Sequence, residues 1–409
     1  MDADAGALGA FDRIGILGAG TMGAGIAQVV AEAGIAAVIH DPIRGAYERA
    51  HERTAGFLAR KVEKGQIDEA TAAAALARLA LADSLEELAT VDLVVEAIPE
   101  DLELKRDAFR RLDAAARPTT ILASNTSSLS IARIASATQL PERVVGMHFF
   151  NPVPLMALVE VVAGPLTASG VVEASIFAAR RLGKTPVLAA DTPGFIVNRV
   201  ARPFYLEALR IFGDGAASVE DVDAAMREVG FRMGPFELVD AIGTDVNFAV
   251  SQGLHEAFFF DPRYRPHIVQ RLLVDAGRLG RKSGGGFYDY GSDGTRGAAW
   301  AGLTQRQAGP RPDHLTSEQT AARVLAALVN EAAAAVADGV ATPQAIDTAM
   351  RLGANYPSGP LEWGERIGLA RVVKTLDALH AAVPDGRYRV VPLLRSLAEL
   401  GGSFFAPQA

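Results

Sequence analysis

The stretch RIGILGAGTMGAGIAQVVAEAG, residues 13–34, leaves a chain few options. An apolar run, Ile14 to Leu17, suits a buried strand, and Gly18, Gly20 and Gly23 follow it as G-x-G-x-x-G before a pattern that suits a helix. Strand, glycines and helix in that order are the dinucleotide fingerprint of an α/β sheet. Gly18 permits the tight turn, Gly20 lets the backbone approach a pyrophosphate, and Gly23 allows the helix to pack closely on the strand. The free N–H groups of the helix start, at Thr21 and Met22, then face the phosphates. A second strand, IAAVIHD, ends in Asp41, 18 residues after Gly23. A carboxylate there accepts ribose hydroxyls and repels a 2′-phosphate, which favours NAD over NADP. Glycine-rich turns also occur for steric reasons alone. Here the strand, the helix and the acid stand in register with the glycines, so the nucleotide reading is preferred.

Composition narrows the remaining choices. A chain of 409 residues exceeds one typical core, so two or three domains are expected. With no cysteine, disulfides, thiolate catalysis and zinc–thiolate sites are excluded, and we expect no metal site. The formal charge of −8 argues against broad nucleic-acid or anionic-membrane binding. MDADAGALGAFD lacks the pattern of a secretory or transit peptide. No run is read as reaching the ~18 apolar residues of a membrane span, and the expected location is the cytoplasm.

Residues 43–90 are long for a βα connection and carry Ala, Arg and Glu at helical spacing, so a helical pair projecting from the sheet is predicted. Arg60, Lys61 and Lys64 lie within about a turn of one another; they read equally as an anion contact and as a solvated face. VDLVVEAIPEDLELK (91–105) and TTILASNTSSLSI (119–131) each read as a strand followed by a helix start. One of Ser124, Asn125, Thr126, Ser127 and Ser128 suffices to cap that helix, leaving hydroxyls to explain. In GMHFFNP (146–152), His148 ends an apolar run; alone, it reads more readily as a structural histidine than as a base.

GILGAGTMGAGIA, DLVVEAIPEDLELK, SNTSSLSI, GMHFFNPVPLMALVEVV and DTPGFIVNR, in this order, resemble the 3-hydroxyacyl-CoA dehydrogenase family over about residues 12–290. The resemblance implies NAD-dependent oxidation of the 3-hydroxyl of an acyl-CoA thioester. The chemistry wants a base that takes the hydroxyl proton as the hydride leaves, and a carboxylate that orients the resulting imidazolium. Glu160, twelve residues past His148, returns beside it if FFNPVPLMALV makes a turn and LVEVV a strand. The family's His–Glu pair thus falls on His148 and Glu160. The resemblance also implies that Ser127 and Asn198 contact the substrate oxygen, and that Glu100, Lys105 and Asn125 lie around the cofactor. Lys64 roughly matches a CoA-contacting lysine. Taken singly, Glu160 reads also as an edge-strand carboxylate and Asn198 as a capping residue.

A Rossmann-type α/β domain is therefore expected over 1–190, followed by two tandem all-α domains. After DTPGFIVNR the spacing turns helical, giving a first helical domain over 191–290 that closes in GRLGRKSGGGFYDY. Residues 291–317 read as a linker. Beyond it, VNEAAAAVADGVATPQAIDTAMRLGANYPSGPLEWGERIG echoes YLEALRIFGDGAASVEDVDAAMREVGFRMGPFELVDAIG, so 318–409 reads as a degenerate second copy. Lacking a DTPGFIVNR counterpart, it is expected to be non-catalytic. The first copy has Arg232 near where the second has Pro357, and the loop GFRMGP is expected to be rebuilt locally.

The doubling is similar to the long bacterial family members that act on 3-hydroxyadipyl-CoA in phenylacetate degradation. That substrate has a distal carboxylate, for which Arg202, four residues after Asn198, is a candidate; a packing role for this arginine stays open. The doubled domain implies either a pseudo-dimeric monomer or an extended homodimer. Other functional readings are a 3-hydroxybutyryl-CoA or general β-oxidation dehydrogenase, a dehydrogenase of hydroxy acids or sugar acids without CoA, and a non-catalytic NAD-binding protein.

Overall fold

The computed structural model describes residues 11–304 and 314–406, and the chain divides into two compact units between Phe195 and Ile196. The first unit runs β1 (Arg13–Leu17), α1 (Thr21–Glu32), β2 (Ala36–His40), α2 (Ala46–Glu63), α3 (Glu69–Leu76), β3 (Leu79–Leu81), β4 (Leu93–Glu96), α4 (Leu102–Ala115), β5 (Ile121–Ser124), α5 (Ile131–Ala135), β6 (Val144–Phe149), β7 (Leu158–Ala163), α6 (Ser169–Arg181) and β8 (Thr185–Ala190). The eight strands form one sheet in the order β3-β2-β1-β4-β5-β6-β7-β8. Strands β1, β4 and β5 are almost wholly buried, as their continuous apolar runs require of strands covered on both faces. The strand order reverses between β1 and β4, and ligands meet such sheets at the carboxyl ends flanking that point.

One pair departs from the parallel pattern. The link between β6 and β7, residues 150–157, is shorter than the dozen or so residues that a parallel crossover needs. The two strands accordingly run antiparallel, and the register sets His148 directly opposite Glu160. The Asn151–Pro152 peptide bond within the link is cis.

Two sequence expectations need correction here. The projecting helical pair occupies only 46–76 of the predicted 43–90; the chain then returns as β3, parallel to β2 at the sheet edge, and a 3-10 turn over Leu85–Thr90. Leu79, Leu85 and Leu88 are buried, so this segment belongs to the sheet layer. The helix expected directly after β5 starts only at Ile131, and its cap is Ser130.

The second unit is helical: α7 (Val197–Val200), α8 (Arg202–Gly213), α9 (Val219–Glu228), α10 (Pro235–Ile242), α11 (Thr244–Ala257) and α12 (Ile268–Asp275) lead to a small hairpin, β9 (Tyr288–Tyr290) and β10 (Arg296–Ala299), and to α13 (Ala301–Thr304). Then follow α14 (Ser317–Ala337), α15 (Pro343–Gly353), α16 (Pro360–Ile367), α17 (Leu369–Ala382) and α18 (Pro392–Leu400). The described part of the expected linker is thus structured in β10 and α13, while 305–313 lies outside the described residues. Among the described residues, α14 is long and apolar enough to cross a membrane by length and composition alone, though Glu318, Arg323 and Glu331 interrupt its apolar sequence. The window that meets this test is 72% buried, as befits the central helix of a bundle.

The two helical copies pack by exchanging equivalent residues. Arg199 of the first copy binds Glu331 (2.8 Å) and Asp338 (2.6 Å) of the second. Arg323 of the second binds Glu207 and Asp214 of the first, the latter at 3.2 Å. Each arginine stands eight residues before the glutamate of its own copy. Tyr264 donates its hydroxyl to Glu331, and Tyr388 donates to Glu207 at 2.7 Å. Reciprocal contacts of this kind define an isologous interface. The GP loops meet as well, with Phe231 edge-on to Tyr356 (4.9 Å between ring centres) and stacked on Trp363 (5.2 Å). Despite the Arg232/Pro357 difference, both loops end in the same device. Buried Asp223 accepts the N–H groups of Phe236 and Glu237 at the start of α10, as Asp347 accepts those of Leu361 and Glu362 at the start of α16.

Candidate active site

In the first unit, the cofactor cradle forms where β1, β2 and β4 end. A cavity of about 580 Å³ is lined by Gly18, Gly20, Thr21, Met22 and Asp41, with Ile43, Leu85, Leu104 and Ala108 providing apolar surface for a flat ring. A Cβ on Gly18 would lie 2.7 Å from the carbonyl oxygen of Ala97, and Gly18 has φ +101°, so only glycine fits. A Cβ on Gly23 would strike the carbonyl oxygen of Gly18, whereas one on Gly20 would meet no protein atom within 4 Å. Gly23 therefore serves helix–strand packing, and Gly20 keeps space open above the loop. Asp41 accepts the N–H groups of Ala19 (2.7 Å) and Ile43 (2.8 Å), which ties the glycine loop to the end of β2. Each carboxylate oxygen retains a lone pair for a ribose hydroxyl. These residues fit a dinucleotide.

The His148–Glu160 pair lies further along the same row of strands, on β6 and β7. His148 Nδ1 is 2.6 Å from Glu160 Oε2, and Glu160 is fully buried. A carboxylate at Nδ1 makes that nitrogen the donor and leaves Nε2 as the acceptor. The rings of Phe150 (4.4 Å) and Phe195 (6.0 Å) flank the imidazole and limit its movement. Phe195 sits at φ +47°, unusual for a bulky residue, directly after Gly194 at φ +74°.

Ser127 rides on the loop after β5, which Glu100 organises. One oxygen of Glu100 accepts the Thr126 hydroxyl (2.6 Å), the Ser127 N–H (3.0 Å), and both the N–H (3.1 Å) and hydroxyl (2.8 Å) of Ser128. Burial opposes ionisation of Glu100, but the Thr126 and Ser128 hydroxyls and the Lys105 charge outweigh it and hold its pKa below the usual value. Lys105 is buried rather than facing the cavity, with Nζ 2.6 Å from Glu96 and 3.4 Å from Glu100. Glu96 also accepts the Ser124 hydroxyl at 2.6 Å. The carboxamide oxygen of Asn125 takes the N–H of Phe149 (2.8 Å), which fastens the loop to the strand that bears His148.

Sequence reasoning missed three supports. Asp191, in DTPGF, holds the start of α5 through Ser130, Ile131 and Ala132. Lys184 is buried and donates to the carbonyls of Val153 and Met156, bracing the β6–β7 link. Glu96 joins the ends of β4 and β5. The cue for each was a charged residue in an otherwise apolar context, without a nearby partner in sequence.

Beside the link, Thr21, Arg53, Phe57, Arg60, Asn151 and Pro152 line a groove of about 180 Å³. Of the basic residues singled out on α2, Arg60 reaches it, Lys61 is bound to Glu32, and Lys64 is exposed at the helix end. Asn198 and Arg202 belong to the second unit.

Residues 13–192 match the family model described as "3-hydroxyacyl-CoA dehydrogenase, NAD binding domain", and residues 194–290 and 320–403 both match its C-terminal domain. The chain belongs to the 3-hydroxyacyl-CoA dehydrogenase family. The double match to one C-terminal model accounts for the repeat, and the NAD-binding domain accounts for the cradle. A 3-hydroxyadipyl-CoA dehydrogenase of Escherichia coli is 39% identical over 96% of this chain and 98% of its own length. A crystal structure of a 3-hydroxybutyryl-CoA dehydrogenase from E. coli covers 96% of this chain and 99% of its own, with a TM-score of 0.87 and 38% identity. An (S)-3-hydroxybutyryl-CoA dehydrogenase from Ralstonia eutropha covers 69% of this chain and all of its own length, with a TM-score of 0.68 and 40% identity. This dehydrogenase uses NAD and acts on an acyl-CoA.

Proposed function

We propose that the chain interconverts (S)-3-hydroxyadipyl-CoA and 3-oxoadipyl-CoA, with His148 as general base. The carrying observation is the 2.6 Å contact between His148 Nδ1 and Glu160. It sets the tautomer in which Nε2 takes the proton of the 3-hydroxyl, and Glu160 then stabilises the imidazolium. NAD supplies the hydride acceptor when bound. Ser127 and Asn198 hold the substrate oxygen by hydrogen bonds, and Glu100 and Asn125 keep the Ser127 loop in place. Lys105 serves the cofactor side from beneath, by charge on Glu100. Lys64 contributes a cation to the CoA moiety.

The dicarboxylic acyl group is favoured by the similarity of the whole chain, second helical copy included, to the E. coli 3-hydroxyadipyl-CoA dehydrogenase. A C4 acyl group is the second reading, since relatives of comparable identity are 3-hydroxybutyryl-CoA dehydrogenases. On the same reading the second helical copy replaces a partner subunit, and the enzyme works in the cytoplasm without nucleic acid or membrane. Oxidation of NADH by acetoacetyl-CoA, 3-oxohexanoyl-CoA and 3-oxoadipyl-CoA tests the proposal, with His148→Gln as control. Fastest turnover with 3-oxoadipyl-CoA is expected; wild-type turnover in the variant would refute the base.

A further inference from the structure

Two lysines of the described chain are buried, and the fold treats them differently. Lys105 meets Glu96 at 2.6 Å. Lys184 has no acidic group of the described residues within salt-bridge distance; Glu32, whose charge acts on it from further off, is held by Lys61 at 2.5 Å. What Lys184 reaches is backbone. Its Nζ donates to the carbonyls of Val153 and Met156, the latter at 2.9 Å, and both belong to the link between β6 and β7. Burial pushes its pKa below the ordinary lysine value, with the Glu32 charge opposing the shift and the Lys61 charge adding to it. A fold that only needed to fill this space would do so more stably with an apolar side chain.

The link is gripped from two elements. Val153 is buried and lies against α1, where a Cβ on Gly25 would come within 2.9 Å of the Val153 Cβ. Lys184 stands just before β8, after Gly183 at φ +70°, and the next residue, Thr185, donates its N–H to the carbonyl of Ala157 (2.7 Å) and pairs with Leu158. Within the link, the N–H groups of Leu155 (2.9 Å) and Met156 (3.0 Å) both turn back to the carbonyl of Pro152. Those bonds shape the turn, and the Lys184 ammonium ties it to the neighbouring strand. Two parts of the dyad depend on where the link lies. Phe150, its first residue, sets its ring 4.4 Å from the His148 imidazole, centre to centre. Leu158, the residue after its last, opens the strand that brings Glu160 opposite His148.

We propose that Lys184 is a positioning residue of the dehydrogenase reaction, fixing the β6–β7 link so that Phe150 and Glu160 hold the His148 imidazole in one orientation. This rests on the reading of His148 as general base and adds a residue that acts only through the dyad. An ammonium carries three N–H donors on a long stem, enough to bridge carbonyls three residues apart, and its charge strengthens both bonds. A catalytic group misplaced by about 1 Å can lose roughly 10²-fold in rate. A clamp that takes the slack out of the link therefore acts on turnover and leaves the cofactor cradle, on β1, β2 and β4, as it is.

The experiment follows NADH oxidation by acetoacetyl-CoA in wild type, Lys184→Met, Gly25→Ala, Glu160→Gln, and Lys184→Met combined with Glu160→Gln. Lys184→Met should lower kcat roughly 10- to 100-fold while the KM for NADH stays within about twofold. In the Glu160→Gln background the same substitution should lower kcat no more than about threefold, because the contact it protects has already been removed. Gly25→Ala presses on Val153 from α1 and leaves Lys184 in place. It should lower kcat several-fold, again without moving the KM for NADH, and it decides the question where Lys184→Met does not fold. Wild-type kcat in folded Lys184→Met, or an undiminished effect in the Glu160→Gln background, overturns the inference and leaves the dehydrogenase reading intact. So does wild-type kcat in Gly25→Ala when the lysine variant does not fold. A fall in kcat matched by an equal rise in the KM for NADH marks general loosening and overturns it too. Wild type that oxidises no NADH overturns the dehydrogenase reading itself.

Discussion

Glu207 and Glu331 occupy corresponding positions in the two helical copies, and each binds the arginine and the tyrosine of the other copy. Both glutamates are buried, so each charge depends on its partners. Burial opposes ionisation of Glu207, but Arg323, Arg210 and the Tyr388 hydroxyl outweigh it and hold its pKa below the ordinary value. Removing one member should cost more than the pair contributes net. Arg199→Met is expected to destabilise the second unit by about 3–5 kcal/mol, and Arg199→Met with Glu331→Leu by distinctly less. Urea unfolding of the single and double variants measures the difference.

At the dyad, Glu160→Gln removes the charge beneath the imidazole while keeping its size. kcat should fall roughly 10²- to 10⁴-fold with little change in KM for either substrate. Steady-state NADH oxidation provides the measurement, and circular dichroism checks that the sheet is intact. An equal rise in KM with kcat preserved would mean that Glu160 only shapes the strand.

The fingerprint glycines should separate. Gly23→Ala forces a Cβ into the Gly18 carbonyl and should lower the Tm by several degrees. Gly20→Ala meets no protein atom, so its Tm should stay near wild type while the KM for NADH rises about tenfold. Thermal melts alongside NADH titrations read both effects.

Asp223 provides a pH signature. Burial pushes its pKa up to about 7, against the hydrogen bonds from Tyr288 and Phe236 that favour the charged form. A folded-state pKa above the unfolded value near 3.8 means that the folded chain holds the extra proton between the two. The contribution of Asp223 is therefore fully present below about pH 4 and declines as pH rises through 7. The stability difference between wild type and Asp223→Asn should shrink by about 1–4 kcal/mol from pH 4 to pH 8. Urea unfolding at the two pH values tests the sign.

The sheet and the β6–β7 hairpin were legible because both are local patterns. β1, the glycines and α1 occur as one continuous phrase, and the pairing of His148 with Glu160 follows from a proline-punctuated turn and strand alternation. β3 escaped notice because three residues show no period, and its burial depends on a sheet edge assembled from distant segments. The echo of LEALR in NEAAA was visible as similarity, yet nothing in it said that each copy's arginine serves the other's glutamate. Lys105 was read by resemblance as a cofactor contact; its burial against Glu96 depends on how α4 lies over β4.

The eight-residue link between β6 and β7 also limits what this lineage can change. Side chains alternate faces along a strand, so one residue added to or deleted from 150–157 would tend to bring Val159 or Val161 opposite His148 and turn Glu160 away. Most surface connections absorb length variation freely. This one should resist it even where its individual residues can be exchanged, because here chain length itself sets which residue faces His148.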